Sequence, residues 1–167
     1  MYKKILVPLD GSVLAEKVLP HVTALAKGSG AEVTLASVVE LSLGVAGAKL
    51  EAFPQAAAEQ KAALRGEAMG YLEKVRRALK DLGVAAGVTL LEGDVASAII
   101  ACAEQKGFDL IAMATHGRSG IDRFVMGSIA EKVVRNASTP VLLIRAIPGV
   151  LRQVDWREIA STPGTMA

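Results

Sequence analysis

Aromatic residues make up only 4% of the 167-residue chain, so its core cannot rest on large rings. Cysteine occurs once, as Cys102, which excludes an intrachain disulfide and a disulfide-stapled secreted fold. Its spacing from Val95 and Ile99 places it on the inner face of a helix, as a small buried hydrophobe. No basic run is present, and no cluster of aromatics on a basic face; 19 Lys and Arg against 17 Asp and Glu leave a net charge of +2. That balance lacks the basic footprint of a nucleic-acid binder. No apolar stretch approaches the ~18 residues of a membrane span. The opening MYKKILVPLDG enters an apolar run without a signal-peptide pattern, so a cytoplasmic location is expected. Two common phosphate-binding motifs are also missing. There is no G-x-x-x-x-G-K-[ST] loop, and no G-x-G-x-x-G follows the first apolar run, which argues against a P-loop NTPase and a Rossmann dehydrogenase.

The residues present are Val, Ile, Leu and many Ala, with 51% hydrophobic overall. Such a length suggests one domain, long enough to bury a core. Apolar runs alternate with helical patterns. Strands are predicted over 4–10, 32–40, 87–93, 108–115 and 139–146, and helices over 12–30, 54–83, 94–107 and 128–138. Pro20 predicts a kink or local break in the first helix, and Asp94 an N-cap for the third. Continuously apolar strands alternating with helices point to an α/β fold, a doubly wound parallel sheet with helices on both faces. Residues 41–53 have no clear period and read as a flap or loop. Residues 147–167, with the single Trp156, read as a C-terminal extension following a domain of residues 1–146.

Two strand ends carry marked turn chemistry: LVPLDGS at 6–12 and MATHGRSG at 113–120. In doubly wound sheets ligands lie outside the carboxyl ends of strands where the strand order reverses. If these two strands are neighbours, their turns face one crevice. Gly127-Ser128 then opens a helix whose free N–H groups and dipole favour anions, and Arg118, Arg123 and Lys132 supply cations near a phosphate. The alternative at each position is ordinary structure. Ser128 and Glu131 form a capping-box pattern. Asp10 is either a ribose or metal ligand or a turn residue in Asp10-Gly11-Ser12. His116 is either a phosphate donor or a turn residue.

At these residues the chain resembles the universal stress protein family over roughly residues 1–146. The family's nucleotide-binding members carry G-x2-G-x9-G-[ST]; the matching positions here are Ala114, Gly117, Gly127 and Ser128, with the nine-residue spacer intact. VPLDGS and TPVLLIR also look like the family's first and last strands. The resemblance implies a five-stranded parallel sheet in the order 3-2-1-4-5 and a homodimer formed through the last strand, residues 140–146. It implies ATP, or the related AMP or ADP, as ligand, with Mg²⁺ accompanying the phosphates. Pro8 and Asp10 would flank the adenosine and Val38 would touch adenine. Met113, Ala114, His116 and Gly117 would line the ribose and phosphate side, and Gly127, Ser128, Ile129 and Ala130 would give amides to the phosphates. The chain departs from the motif at Ala114. If that position needs positive φ, alanine is strained there; if it needs only a small side chain, alanine is harmless.

The sequence thus leads to an ATP-binding switch in stress response, acting on an unidentified protein partner, with at most slow ATP hydrolysis. No second carboxylate, catalytic lysine or serine triad joins Asp10 and His116. The alternatives are a dimeric scaffold that binds no nucleotide, and an enzyme on the same fold, such as a nucleotidyl-transfer relative. The extension 147–167 is expected to pack on the dimer partner or on the sheet edge.

Overall fold

The computed structural model describes residues 1–39, 54–116 and 127–146. The expected flap at 41–53 and the extension at 147–167 lie outside them. The strands are β1 (Lys4–Pro8), β2 (Glu32–Val39), β3 (Ala86–Glu92), β4 (Leu110–His116) and β5 (Val141–Ala146). The helices are α1 (Leu19–Ser29), α2 (Pro54–Asp81), α3 (Val95–Gln105) and α4 (Ser128–Asn136). The strands form one parallel sheet in the order β3-β2-β1-β4-β5. β1 and β4 are therefore neighbours, and both marked turns leave the same end of the sheet.

Alternation along the strands builds two cores. Ile5, Val7, Val33, Leu35, Leu110 and Ala112 pack on one face with Val22 of α1 and Leu72, Val75 and Leu79 of α2. Leu6, Ala36, Ile111 and Met113 pack on the other with Ile99, Cys102 and Ala103 of α3 and Ala130 and Val133 of α4. Burial on both faces explains why the strands are apolar without alternation. Cys102 is 5% exposed and sits in the second core, and burial pushes its thiol pKa up.

Several boundaries shift for local reasons. The expected helix over 12–30 is two pieces: a 3-10 turn, Ala15–Val18, and α1, which places Pro20 in its first turn. Proline needs no N–H there, so the break falls just before it. β1 ends at Pro8 rather than Asp10, although the Leu9 N–H still reaches the Ala36 carbonyl at 2.8 Å. β4 begins at Leu110, because the Asp109 carboxylate turns to accept the N–H groups of Lys3 and Lys4 at 2.8 and 3.2 Å. β5 begins at Val141, after the Pro140 carbonyl has accepted the Ile111 N–H at 2.9 Å.

Asp94 caps α3 as its residue type suggests. Its Oδ1 accepts the Ser97 hydroxyl at 2.7 Å and the Ser97 N–H at 3.0 Å. These two bonds, hydroxyl first, hold the carboxyl below the usual carboxylate range, with a smaller contribution from Lys132. A depressed folded pKa means the stabilisation is fully present above the unfolded value and is lost as pH falls through the folded one. Asp94→Ala is therefore expected to lower the urea midpoint at pH 7, with the gap to wild type closing below about pH 4. A gap that stays constant down to pH 2.5 would remove the charge from this cap.

Candidate functional site

A cavity of about 340 Å³ opens at the carboxyl end of the sheet, between the turn after β1, the end of β4 and the start of α4. Pockets for small ligands begin at about this size. Its walls come from five places. Pro8, Leu9, Asp10, Leu14 and Ala15 supply the first turn, and Ala36 and Val38 the end of β2. Met113, Ala114 and Thr115 supply the end of β4, Gly127, Ser128, Ile129 and Ala130 the start of α4, and Val95 and Ile99 the flank of α3. Of the residues expected at a site, Pro8, Asp10, Val38, Met113, Ala114, Gly127, Ser128, Ile129 and Ala130 thus line one space. Gly117 lies outside the described residues, as do Arg118 and Arg123. His116 ends β4 opposite Ala146. Lys132 is directed elsewhere: its Nζ lies 3.9 Å from Oδ2 of Asp94, the N-cap of α3.

The turn after β1 is built by its own residues. Asp10 Oδ1 accepts the Ser12 N–H at 2.9 Å, and Ser12 Oγ accepts the Ala15 N–H at 3.0 Å. Between them Gly11 has φ +82°, a left-handed conformation that glycine adopts without strain. The ordinary turn role of Asp10 is thus realised, and the residue remains exposed on the cavity wall. Asp10 and Val38 also border a second, more open cavity of about 470 Å³, reaching Leu64, Glu67, Ala68 and Tyr71 of α2.

At the start of α4 the capping box is not made. Gly127 is the N-cap, with φ −57° and ψ 143°, so Ser128 is already the first helical residue. No side chain caps the helix, and Glu131 pairs forward with Arg135 at 3.2 Å. From the first helical position the Ser128 hydroxyl makes no cap bond of the kind an N-cap oxygen makes. Those of Ser128, Ile129 and Ala130 lack an intrahelical acceptor by the geometry of any α-helix, and all three residues line the cavity.

The departure at Ala114 has a simple resolution. Ala114 lies in β4, in register with Ile144, and no described non-glycine residue has positive φ. The position is extended backbone, which alanine adopts freely, so only the size of its methyl matters.

Thr115 escapes sequence reasoning. It is 7% exposed at the end of an otherwise apolar row, and its Oγ1 accepts the Gly127 N–H at 3.2 Å. A hydroxyl in an apolar strand gives no periodic signal; only the return of the chain at Gly127 reveals its partner. Glu16 is similar, 5% exposed and accepting the Tyr71 hydroxyl at 3.2 Å.

The model of the Universal stress protein family matches residues 1–145. This chain belongs to the universal stress protein family. Universal stress protein MJ0531 of Methanocaldococcus jannaschii is 37% identical over 145 residues, covering 87% of this chain and 83% of the relative. MJ0577 of the same organism is 34% identical over 158 residues, covering 87% of this chain and 96% of the relative. Its solved structure superposes with a TM-score of 0.73, covering 87% of this chain and 97% of that one at 31% identity. The universal stress protein from Archaeoglobus fulgidus in complex with dAMP shares the fold, with a TM-score of 0.62 at 24% identity over 86% of this chain and 98% of that one. The universal stress protein match ends at residue 145, within β5, so residues 147–167 lie beyond it. Among the described residues no helix is long and apolar enough to cross a membrane.

Proposed function

We propose that the protein binds an adenine nucleotide, ATP in the first instance, in the 340 Å³ cavity and acts as a nucleotide-dependent switch in stress response. The observation that carries this reading is the uncapped start of α4, lining the same cavity as the apolar slot of Ala36, Val38, Ile99 and Met113. A flat apolar base fits the slot. An anion fits N–H groups at the positive end of a helix dipole. A nucleotide carries both in one molecule, and a related fold holds dAMP.

In this arrangement Asp10 faces the ribose and Val38 the base. Ser128, Ile129 and Ala130 give backbone amides to the phosphates, and Mg²⁺ accompanies those phosphates in solution. Asp10 and His116 alone do not make a hydrolytic centre, so turnover is at most slow. The protein works in the cytoplasm as a dimer through β5, whose apolar edge favours pairing with a second copy.

The test is calorimetric titration of verified nucleotide-free protein with ATP, with and without Mg²⁺. The expected result is a single site with Kd on the order of micromolar. Absence of heat and of competition by ADP or AMP would leave the dimeric scaffold as the function. A sedimentation mass of one chain at working concentration would remove the dimer.

A further inference from the structure

We infer that Thr115 is a positioning residue for phosphate at the start of α4, an inference that rests on the nucleotide reading. Side chains along β4 alternate between the two cores. Leu110, Ala112 and Ala114 face α1 and α2, while Ile111 and Met113 face α3 and α4. Thr115 ends the second row and is directed at α4. Its hydroxyl oxygen accepts the Gly127 N–H at 3.2 Å, a bond spanning 12 residues. This bond joins the end of β4 to the start of α4 across the intervening excursion.

Two consequences follow. First, the bond satisfies the N–H of the N-cap residue and no other. An N-cap serine or aspartate would instead take an N–H one turn further in. Thr115 therefore holds the helix start in place while leaving the N–H groups of Ser128, Ile129 and Ala130 to the cavity. Second, a threonine hydroxyl has one proton and two lone pairs. A lone pair serves Gly127, and the proton has no acceptor among the described residues. Thr115 also lines the cavity, so that O–H is available to a ligand oxygen. A buried valine would fill the same space and supply neither function.

The experiment compares wild type, Thr115→Val, Thr115→Ala and Thr115→Ser by two readouts. In the nucleotide-free protein, exchange of the Gly127 amide is followed by NMR. It is expected to be slow in wild type and Thr115→Ser, and fast in Thr115→Val and Thr115→Ala. In calorimetry, Thr115→Val is expected to weaken ATP and AMP by about tenfold or more while adenosine stays within about twofold. Thr115→Ser should recover most of the loss. A role in folding alone would lower adenosine and ATP equally and overturn the inference, as would unchanged ATP affinity in Thr115→Val. If wild type binds no nucleotide, the nucleotide reading fails and the phosphate role with it. The amide exchange then separately reports whether Thr115 holds the start of α4. Should Thr115→Val fail to fold, Thr115→Ala carries the same comparison.

Discussion

Gly127→Ala is expected to leave the protein folded and to weaken ATP binding at least about tenfold. Nothing among the described residues demands glycine at 127. Its φ of −57° is open to any residue, and among the described residues an added Cβ meets only Thr115 Oγ1, at an ordinary 3.7 Å. Alanine is a somewhat poorer N-cap than glycine, by a few tenths to ~1 kcal/mol. It also reduces the entropy of the unfolded chain, worth ~0.4–1 kcal/mol in the other direction. The net stability change should stay within about 0.5 kcal/mol. The affinity change has a different source. A methyl at the N-cap stands beside the three free N–H groups, where a phosphate must approach closely. Paired urea melts and ATP titrations separate the two effects. A stability loss above ~1 kcal/mol would make Gly127 a requirement of the fold. Full ATP affinity in a stable variant would show that no ligand approaches the start of α4.

The second large effect is on stability. Leu35→Ala is expected to cost about 3 kcal/mol, within the 2–5 kcal/mol seen for such truncations in packed cores. Leu35 is fully buried in β2, in register with Val7 of β1 and Val88 of β3, and shares the core containing Leu72, Val75 and Leu79. Strands on both sides limit relaxation, so most of the vacated volume remains. Against a total of ~5–15 kcal/mol this is a large fraction. The melting temperature should fall by roughly 6–12 °C for a domain of this size. Leu64, 37% exposed on α2, is the comparison: its truncation should change stability by less than ~0.5 kcal/mol. A Leu35→Ala loss below ~1 kcal/mol would mean that the α2 side of the core closes over the gap.

Sequence patterning identified the five strands, the four helices, the Asp94 cap and the buried Cys102, because each depends on neighbours in the chain. It was weaker at boundaries, where distant groups intervene: Asp109 turns to the N–H groups of Lys3 and Lys4, and Pro140 gives its carbonyl to Ile111. The capping box failed for a related reason. The residue types at Ser128 and Glu131 are right, but the helix begins one residue earlier than that motif requires, with Gly127 as its N-cap and Glu131 paired to Arg135.

The order of apolar runs and turns in this sequence was enough to determine a doubly wound sheet and to mark the two turns that end β1 and β4. Those are properties of periodicity and of glycine-bearing turns, which are local. Only the tertiary structure decided that Ala114 sits in unstrained extended backbone, that Lys132 turns to Asp94, and that a buried Thr115 hydroxyl secures the start of α4. Each depends on a partner in another part of the chain, at 12 residues or more for all three. Such partners meet only when the sheet has formed and its two faces are covered.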